Sequence, residues 1–339
     1  MTHVSSVERE QGYNLSTNRA CKTISPAAGL VAPTIFHEEW WLQAASGGTW
    51  REAVVETGGA VIGRLPYMTE RKALGQTVVV MPTLTHVLGP SLAPDIAATG
   101  NARSLRSFTT TTALIKQLPE ASLTWFELHR GVTDTLAFEA AGFATGVNFT
   151  MDIAPDSSDA LWRRMRDKTR NVVRRAQDQL MVSRHMPLAE FLDFYEENLR
   201  QRGTRNAFNR DRCEAVIGAC LQRGVGRILA TFNAQNAPVA AIFTAWDERS
   251  EYFLMSTRRP DAANGAISLL IWSALRHAAA MGRNFDVDRV NSRTNLTLLT
   301  GFGGTLRPRY FVSRSSMAFD FARRVKGLIT RRPPPTALN

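Results

Sequence analysis

The run GRILATFNAQNAPVAAIFTAW, residues 226–246, reads as two strands joined by a polar turn. Gly226 to Phe232 is apolar, Asn233 to Asn236 supplies turn chemistry, and Pro238 to Trp246 resumes the apolar run. Glu251 to Thr257 adds a third strand. Residues 264–281 form a strongly apolar helix stopped by Gly282. Phe285 to Val290 is again a strand, Leu296 to Thr300 a short helical turn before Gly301, and Leu306 to Arg314 the last strand. The same order occurs earlier in the chain. Ala53 to Glu56, the turn Thr57-Gly58-Gly59 and Ala60 to Leu65 make a strand–turn–strand unit, and Val78 to Met81 a third strand. A helix over 104–118, a strand from Leu123 to Leu128, a short helix from Thr133 to Ala141 ending at Gly142, and a strand from Phe143 to Ile153 follow. One plan is therefore used twice, which predicts an α/β fold of mixed (α+β) sheets in two tandem domains.

The expected boundaries are 34–153 and 154–316. Residues 1–33 lack periodicity and read as a disordered N-terminal segment. Residues 317–339 read as a basic helix carrying Phe319, Phe321, Val325, Leu328 and Ile329, then a Pro-rich tail. The second domain opens with one long helix, capped by Ser157 or Ser158 and running to Leu180. Leu161, Met165, Val172, Ala176 and Leu180 recur at helical spacing, and the opposite face carries Arg163, Arg164, Arg166, Lys168, Arg170, Arg174 and Arg175.

Charge follows this division. The chain of 339 residues has a formal net charge of +11, yet residues 1–150 hold 11 basic and 12 acidic side chains, against 30 and 18 in 151–339. The excess sits in the second part, and Arg dominates it, with only five lysines in the whole chain. Guanidinium groups suit bidentate phosphate or carboxylate binding; the codon bias of a GC-rich genome is the plainer reading of the Arg excess, and a solvated face that of the basic helix. Three cysteines without Cys-x-x-Cys, and six scattered histidines, argue against a disulfide framework or a zinc site. No uninterrupted apolar run spans a membrane, and Thr2 to Arg19 lack the apolar core of a secretion signal, so the cytoplasm is the expected address.

Four further stretches carry a resemblance. Trp162 to Ala176 is a basic helix with an Arg170-Asn171-Val172 step followed by Arg174-Arg175-Ala176. Asn264-Gly265-Ala266 opens the apolar helix. Gly282-Arg283-Asn284-Phe285-Asp286-Val287-Asp288 leads into a strand, and Gly301-Phe302-Gly303-Gly304 with Pro308-Arg309-Tyr310 closes the chain's ordered plan. In this order and spacing they resemble the FemABX-like (peptidoglycan bridge peptidyltransferase-like) branch of the GNAT acyltransferase superfamily, over roughly residues 36–315. The resemblance implies tandem GNAT-like domains and transfer of an acyl or aminoacyl group to an amine or hydroxyl of a small molecule, sugar or cell-envelope precursor. It leaves two donors open, acyl-CoA and aminoacyl-tRNA. Leu298-Leu299 stands where tRNA-dependent members often carry Phe-Lys, and a leucine cannot stabilise an oxyanion. The long inserted coiled-coil arm of some tRNA-dependent members is also missing. Both departures favour acyl-CoA as co-substrate, with no permanently bound cofactor and no metal.

Acyl transfer needs an anchored donor, a polarised carbonyl and a base. A polyanionic donor suits the helix start at Asn264, Gly265 and Ala266, with Arg258 and Arg259 just upstream; a simple helix cap is the alternative. The usual Gln/Arg-x-x-Gly-x-Gly/Ala signature is degenerate here, with Asp261 and Asn264 at two of its positions. Asp286 and Asp288 share one strand face and are candidate catalytic carboxylates, or salt-bridge partners of Arg289 or Arg293. Asn291 and Ser292 at the strand end, and Glu127 on the equivalent strand of the first half, are candidate substrate contacts. His129 is a candidate base. Arg170, and Arg205 in a second basic cluster, are candidate contacts to tRNA, CoA, an acidic polymer or an anionic inner-membrane surface. A non-catalytic nucleic-acid- or membrane-binding protein on a degenerate acyltransferase scaffold is the reading of a different class; few lysines and no recognised nucleic-acid module count against it.

Overall fold

The computed structural model describes residues 30–319 except 31, 73–74, 95–99, 184–185, 205, 263, 291–292 and 318. Most of the segments 1–33 and 317–339 therefore lies outside the described residues.

The first half contains α1 (Glu39–Ser46), β1 (Trp50–Thr57), β2 (Ala60–Arg71), β3 (Thr77–Val80), the short β4 (Ser91–Leu92), α2 (Gly100–Lys116), β5 (Leu123–Glu127), α3 (Leu136–Ala140) and β6 (Ala144–Ile153). The second contains α4 (Ser158–Arg164), α5 (Asp167–Gln179), β7 (Met181–Ser183), α6 (Leu188–Gln201), α7 (Arg210–Gln222), β8 (Gly226–Phe232), β9 (Pro238–Trp246), β10 (Ser250–Arg258), α8 (Ala266–Ala280), β11 (Asn284–Arg289), α9 (Arg293–Leu299) and β12 (Thr305–Ser315).

All strands join one mixed sheet in the order β1-β2-β3-β5-β12-β6-β11-β10-β9-β8-β7, with β4 on β2. The order is palindromic in its logic. β1/β2 and β2/β3 are antiparallel and β3/β5 parallel, as β8/β9 and β9/β10 are antiparallel and β10/β11 parallel. A helix crossover, α2 or α8, makes each parallel step, as such a step requires. The halves exchange their last strands. β6 pairs with β11 of the second half, β12 pairs with β5 of the first, and the two meet antiparallel at the centre.

Helix α8 is apolar almost all round and covers one face of the second half, where Met151, Ile153, Phe285 and Val287 share its core. On the other face the core around Phe36, Trp41, Phe191, Val216, Phe243 and Leu254 holds α1, α6 and α7. Phe126, Leu128 and Val312 pack in the first half's core with Leu114 and Ile115 of α2.

The single helix expected from Ser157 to Leu180 is two helices. Met165 and Arg166 are extended (ψ 145° and 144°), the Arg166 N–H donates to the Gly301 carbonyl at 3.0 Å, and the Met165 side chain is buried. The Arg170 guanidinium donates to the Trp162, Arg163 and Met165 carbonyls freed at the break. No Gly or Pro marks this break; it is made by docking on the chain's closing turn. That turn needs its glycines. Gly303 has φ +77°, and a Cβ there would stand 2.7 Å from the Arg164 carbonyl oxygen.

Candidate active site

Two features of the sheet define the site. The first is where parallel strands part. β10 pairs with β11 only from Ser250 to Tyr252, opposite Asn284 to Asp286, although β10 runs on to Arg258. Beyond Tyr252 the two strands diverge, and the ladder between β10 and β9 skips Leu254 at a register shift. Such a bulge turns backbone groups out of the ladder. The matching gap between β3 and β5 is filled. Leu88 bridges Leu128 there, its N–H donating to the Glu127 carbonyl at 2.8 Å and its carbonyl accepting from the His129 N–H at 2.9 Å. The second half alone keeps its gap free of such a bridge among the described residues.

The second feature is a charged cluster at the seam. Arg309 on β12 is buried; it donates to Asp286 at 2.9 Å and Asp288 at 3.0 Å and lies 3.8 Å from Glu127. Arg130, just beyond β5, forks onto Asp152 at 2.8 and 3.0 Å and reaches Asp286 at 3.0 Å. Arg289 pairs with Glu127 at 2.8 Å, and Thr150 donates to Asp286 at 2.7 Å. Four carboxylates thus meet three guanidinium groups. Taking so many charges out of water costs several kcal/mol per ion unless each is paired.

Backbone geometry makes the cluster possible. Asp288 has φ +65°, in the left-handed region that Asp tolerates better than most residues. Its N–H donates to the Asp286 carboxylate at 2.9 Å, and the pairing with β6 shifts register between Asp286 and Arg289. Both aspartates therefore reach Arg309.

Asp152 and Asp286 are register partners across β6 and β11. Burial, and then the Asp286 charge, push the Asp152 carboxyl above the usual carboxylate range, against the pull of Arg130. Burial opposes ionisation of Asp286 too, but Arg309 and Arg130 outweigh it and hold Asp286 below that range. Two carboxyls with proton affinities driven apart by their surroundings suit a proton acceptor beside a fixed negative charge. Asp152 is also the more accessible of the two, at 10% against 2% side-chain exposure.

Both line a cavity of about 400 Å³ with Arg130, Thr150, Tyr252, Asn284, Thr305, Arg307 and Arg309. It opens on the face opposite α8, because Asp152 and Asp286 alternate with the core residues Met151, Ile153, Phe285 and Val287. Tyr252 donates its hydroxyl to Asp247 at 2.8 Å, and burial and that carboxylate hold the phenol well above its ordinary value.

The other sequence candidates are placed as follows. Asp286 and Asp288 come together with Glu127 through Arg309; Glu127 is buried and bonded to Arg289. His129 is buried away from the cavity. Its Nε2 lies 2.9 Å from the Pro90 carbonyl and its Nδ1 accepts from the Gly131 N–H at 3.1 Å, while burial lowers its proton affinity. Arg170 caps the end of α4. Arg258 is exposed at the end of β10, whereas Arg259 forks onto Asp261 at 2.9 Å through two nitrogens. Asn264 is exposed, Gly265 (φ +102°) is the N-cap of α8 and Ala266 its buried first residue. A Cβ on Gly265 would meet the Val172 carbonyl at 2.8 Å, so this small residue admits α5. Arg205, Asn291 and Ser292 lie outside the described residues. The sequence reading overlooked Asp152, Arg130 and the cluster role of Arg309. The alternation Thr150-Met151-Asp152-Ile153, polar on one face of a strand and apolar on the other, was the available signal.

Residues 146–289 match the family model for an acetyltransferase (GNAT) domain. No curated protein matches the chain in sequence. Among solved structures the chain is similar to FemX, at 12% identity and a TM-score of 0.59, covering 81% of this chain and 90% of that one. It is also similar to the C-terminal domain of a protein assigned as a lysylphosphatidylglycerol synthetase from Agrobacterium fabrum, at 12% identity and a TM-score of 0.52, covering 85% and 91%. The chain thus carries a segment that matches a GNAT acetyltransferase domain, and it shares its overall fold, two halves with one order of elements, with FemX. The matched segment begins within β6, the strand that lies against β11.

Proposed function

We propose that the protein moves an acyl group from acyl-CoA to an amine held in the seam cavity, with Asp152 as the proton acceptor. The observation that carries this reading is the Asp152/Asp286 pair, with opposed proton affinities, at the root of the open gap between β10 and β11. The donor enters from the α8 side, its phosphates near the free N–H groups of Ala266 to Ser268 and the exposed Arg258. Its thioester reaches the gap, where the backbone at Leu254 is out of the ladder and available to the carbonyl oxygen. The acceptor approaches from the opposite face. Asp152 takes a proton from the ammonium, the amine nitrogen bonds to the carbonyl carbon, the carbon–sulfur bond breaks, and the second proton shed by the nitrogen as it becomes an amide goes to the departing thiolate. Asp286 stays ionised and holds Arg130 and Thr150 in place.

Acyl-CoA is preferred over aminoacyl-tRNA because Leu299 is buried in the apolar core and Leu298 packs against it, so no cation stands at that position. The Leu88 bridge in the first half predicts one donor site per chain. Calorimetry with acetyl-CoA and longer acyl-CoAs tests this: the expected result is one site per chain, with affinity in the micromolar to millimolar range, and CoA release in the presence of amines. Failure to bind any CoA, with binding of aminoacyl-tRNA, overturns the donor assignment.

A further inference from the structure

Three arginines line the seam cavity, and they differ in one respect. Arg309 is buried and neutralised by Asp286 and Asp288. Arg130 is neutralised by Asp152 and Asp286. Arg307 lies between Thr305 and Arg309 on the same face of β12, opposite Thr150 in register, and is exposed. Among the described residues its guanidinium has no hydrogen bond or ion pair, although Asp152 is near it on the neighbouring strand. Arg130 already balances the charge of Asp152, forking onto both of its oxygens. The cavity thus joins a carboxylate floor to one uncommitted guanidinium at its rim, with Asn284 and Thr305 beside it.

The donor's phosphates do not account for this cation, since α8 starts on the other face of the sheet. About 400 Å³ holds a molecule the size of an amino acid or a monosaccharide. We infer that the acceptor is a small amine that also carries an anionic group, a carboxylate or a phosphate, and that Arg307 is the residue that reads the anion. This rests on the proposed use of the cavity as the acceptor site. A planar guanidinium matches either anion through two parallel N–H bonds, and it loses less entropy in doing so than an ammonium would.

The test is equilibrium binding by calorimetry without donor, so its result is independent of whether acyl-CoA is the donor. The probes are two matched pairs, alanine with alaninamide and glucosamine 6-phosphate with glucosamine. The proteins are the full chain, Arg307→Gln, Arg307→Lys, and Arg163→Gln as a control on an exposed arginine of α4. The expected result is that at least one anionic member binds the unaltered protein about tenfold or more tighter than its neutral partner. Arg307→Gln should bring that pair to within about threefold, Arg307→Lys should retain part of the preference, and Arg163→Gln all of it. Preference in the first pair alone assigns a carboxylate, and in the second alone a phosphate. Equal binding within both pairs, or a preference that survives Arg307→Gln, overturns the inference. If the inference holds while no CoA binds, the donor assignment alone has failed.

Discussion

Arg309→Met removes the cation at the centre of the cluster and leaves its carboxylates in place. Arg309 is 6% exposed and serves Asp286 at 2.9 Å, Asp288 at 3.0 Å and Glu127 at 3.8 Å. Removing one partner of a buried ion pair costs about 3–5 kcal/mol, because the remaining charge is stranded. At roughly 2 cal/mol/K of unfolding entropy per residue, a chain of this size loses about 0.7 kcal/mol per kelvin, so Tm falls by about 4–7 °C at neutral pH. The sign of the pH dependence follows from the same groups. In the unaltered protein Arg309 holds the Asp286 pKa down, so this pairing contributes stability above the ordinary carboxylate value and loses it as pH falls through the depressed one. In Arg309→Met burial prevails and the Asp286 pKa rises, so ionisation costs stability at high pH and the cost fades on acidification. The Tm deficit is therefore greatest near pH 8 and smaller near pH 5, as read by calorimetry or near-ultraviolet circular dichroism. Adding Asp286→Asn to Arg309→Met should cost less than the sum of the two single changes, by about 1 kcal/mol or more. A Tm shift under about 1 °C at pH 8, or an equal deficit at both pH values, would refute the assignment of Arg309 as the counter-ion of these carboxylates.

The rate of acyl transfer should rise with pH through an Asp152 pKa above the ordinary carboxylate value. Asp152→Asn should lower kcat by about a hundredfold or more, and Asp286→Asn should move the acid limb of kcat/KM downward, since the Asp286 charge raises Asp152. An upward or absent shift in the pH–rate profile contradicts the pairing. Cys213 and Cys220 are buried and burial pushes both thiols up to about 12, so neither should react with a thiol reagent near pH 8 before unfolding; peptide mapping of the native protein checks this. Gly303→Ala should destabilise by about 1–3 kcal/mol in a denaturant titration, from positive φ and the clash with the Arg164 carbonyl; an unchanged midpoint removes the reason given for that glycine.

Local patterns carried far in this chain. Strands 226–232 and 238–246 fall where apolar runs and the Asn-rich turn put them, and α8 lies inside the apolar stretch that ends at Gly282. The repeat was legible because each half repeats the order of its elements, and order is a property of the chain. Helix continuity at Met165 was not legible. The periodicity runs through that point, and the break comes from a carbonyl 136 residues further on, at Gly301.

The site divides in the same way. Asp286 and Asp288 were visible as carboxylates alternating with apolar residues, and Glu127 as their counterpart in the first half. Arg289 and Arg293 were the expected partners of the two aspartates because they are neighbours in sequence. Arg309 and Arg130 hold them instead, because β12 and β5 bring those side chains across the seam. Asp152, near the end of the first half's last strand, was not among the sequence candidates. By itself the sequence determined the element types, their duplicated order and the apolar faces, all of which follow from side-chain periodicity over a few turns or pleats. Which strands become neighbours at the centre was decided only by the tertiary structure, since β6 and β12 could each satisfy their hydrogen bonds within their own half. Their exchange places Asp152 against Asp286 and turns two separate carboxylates into a coupled pair beside a cavity.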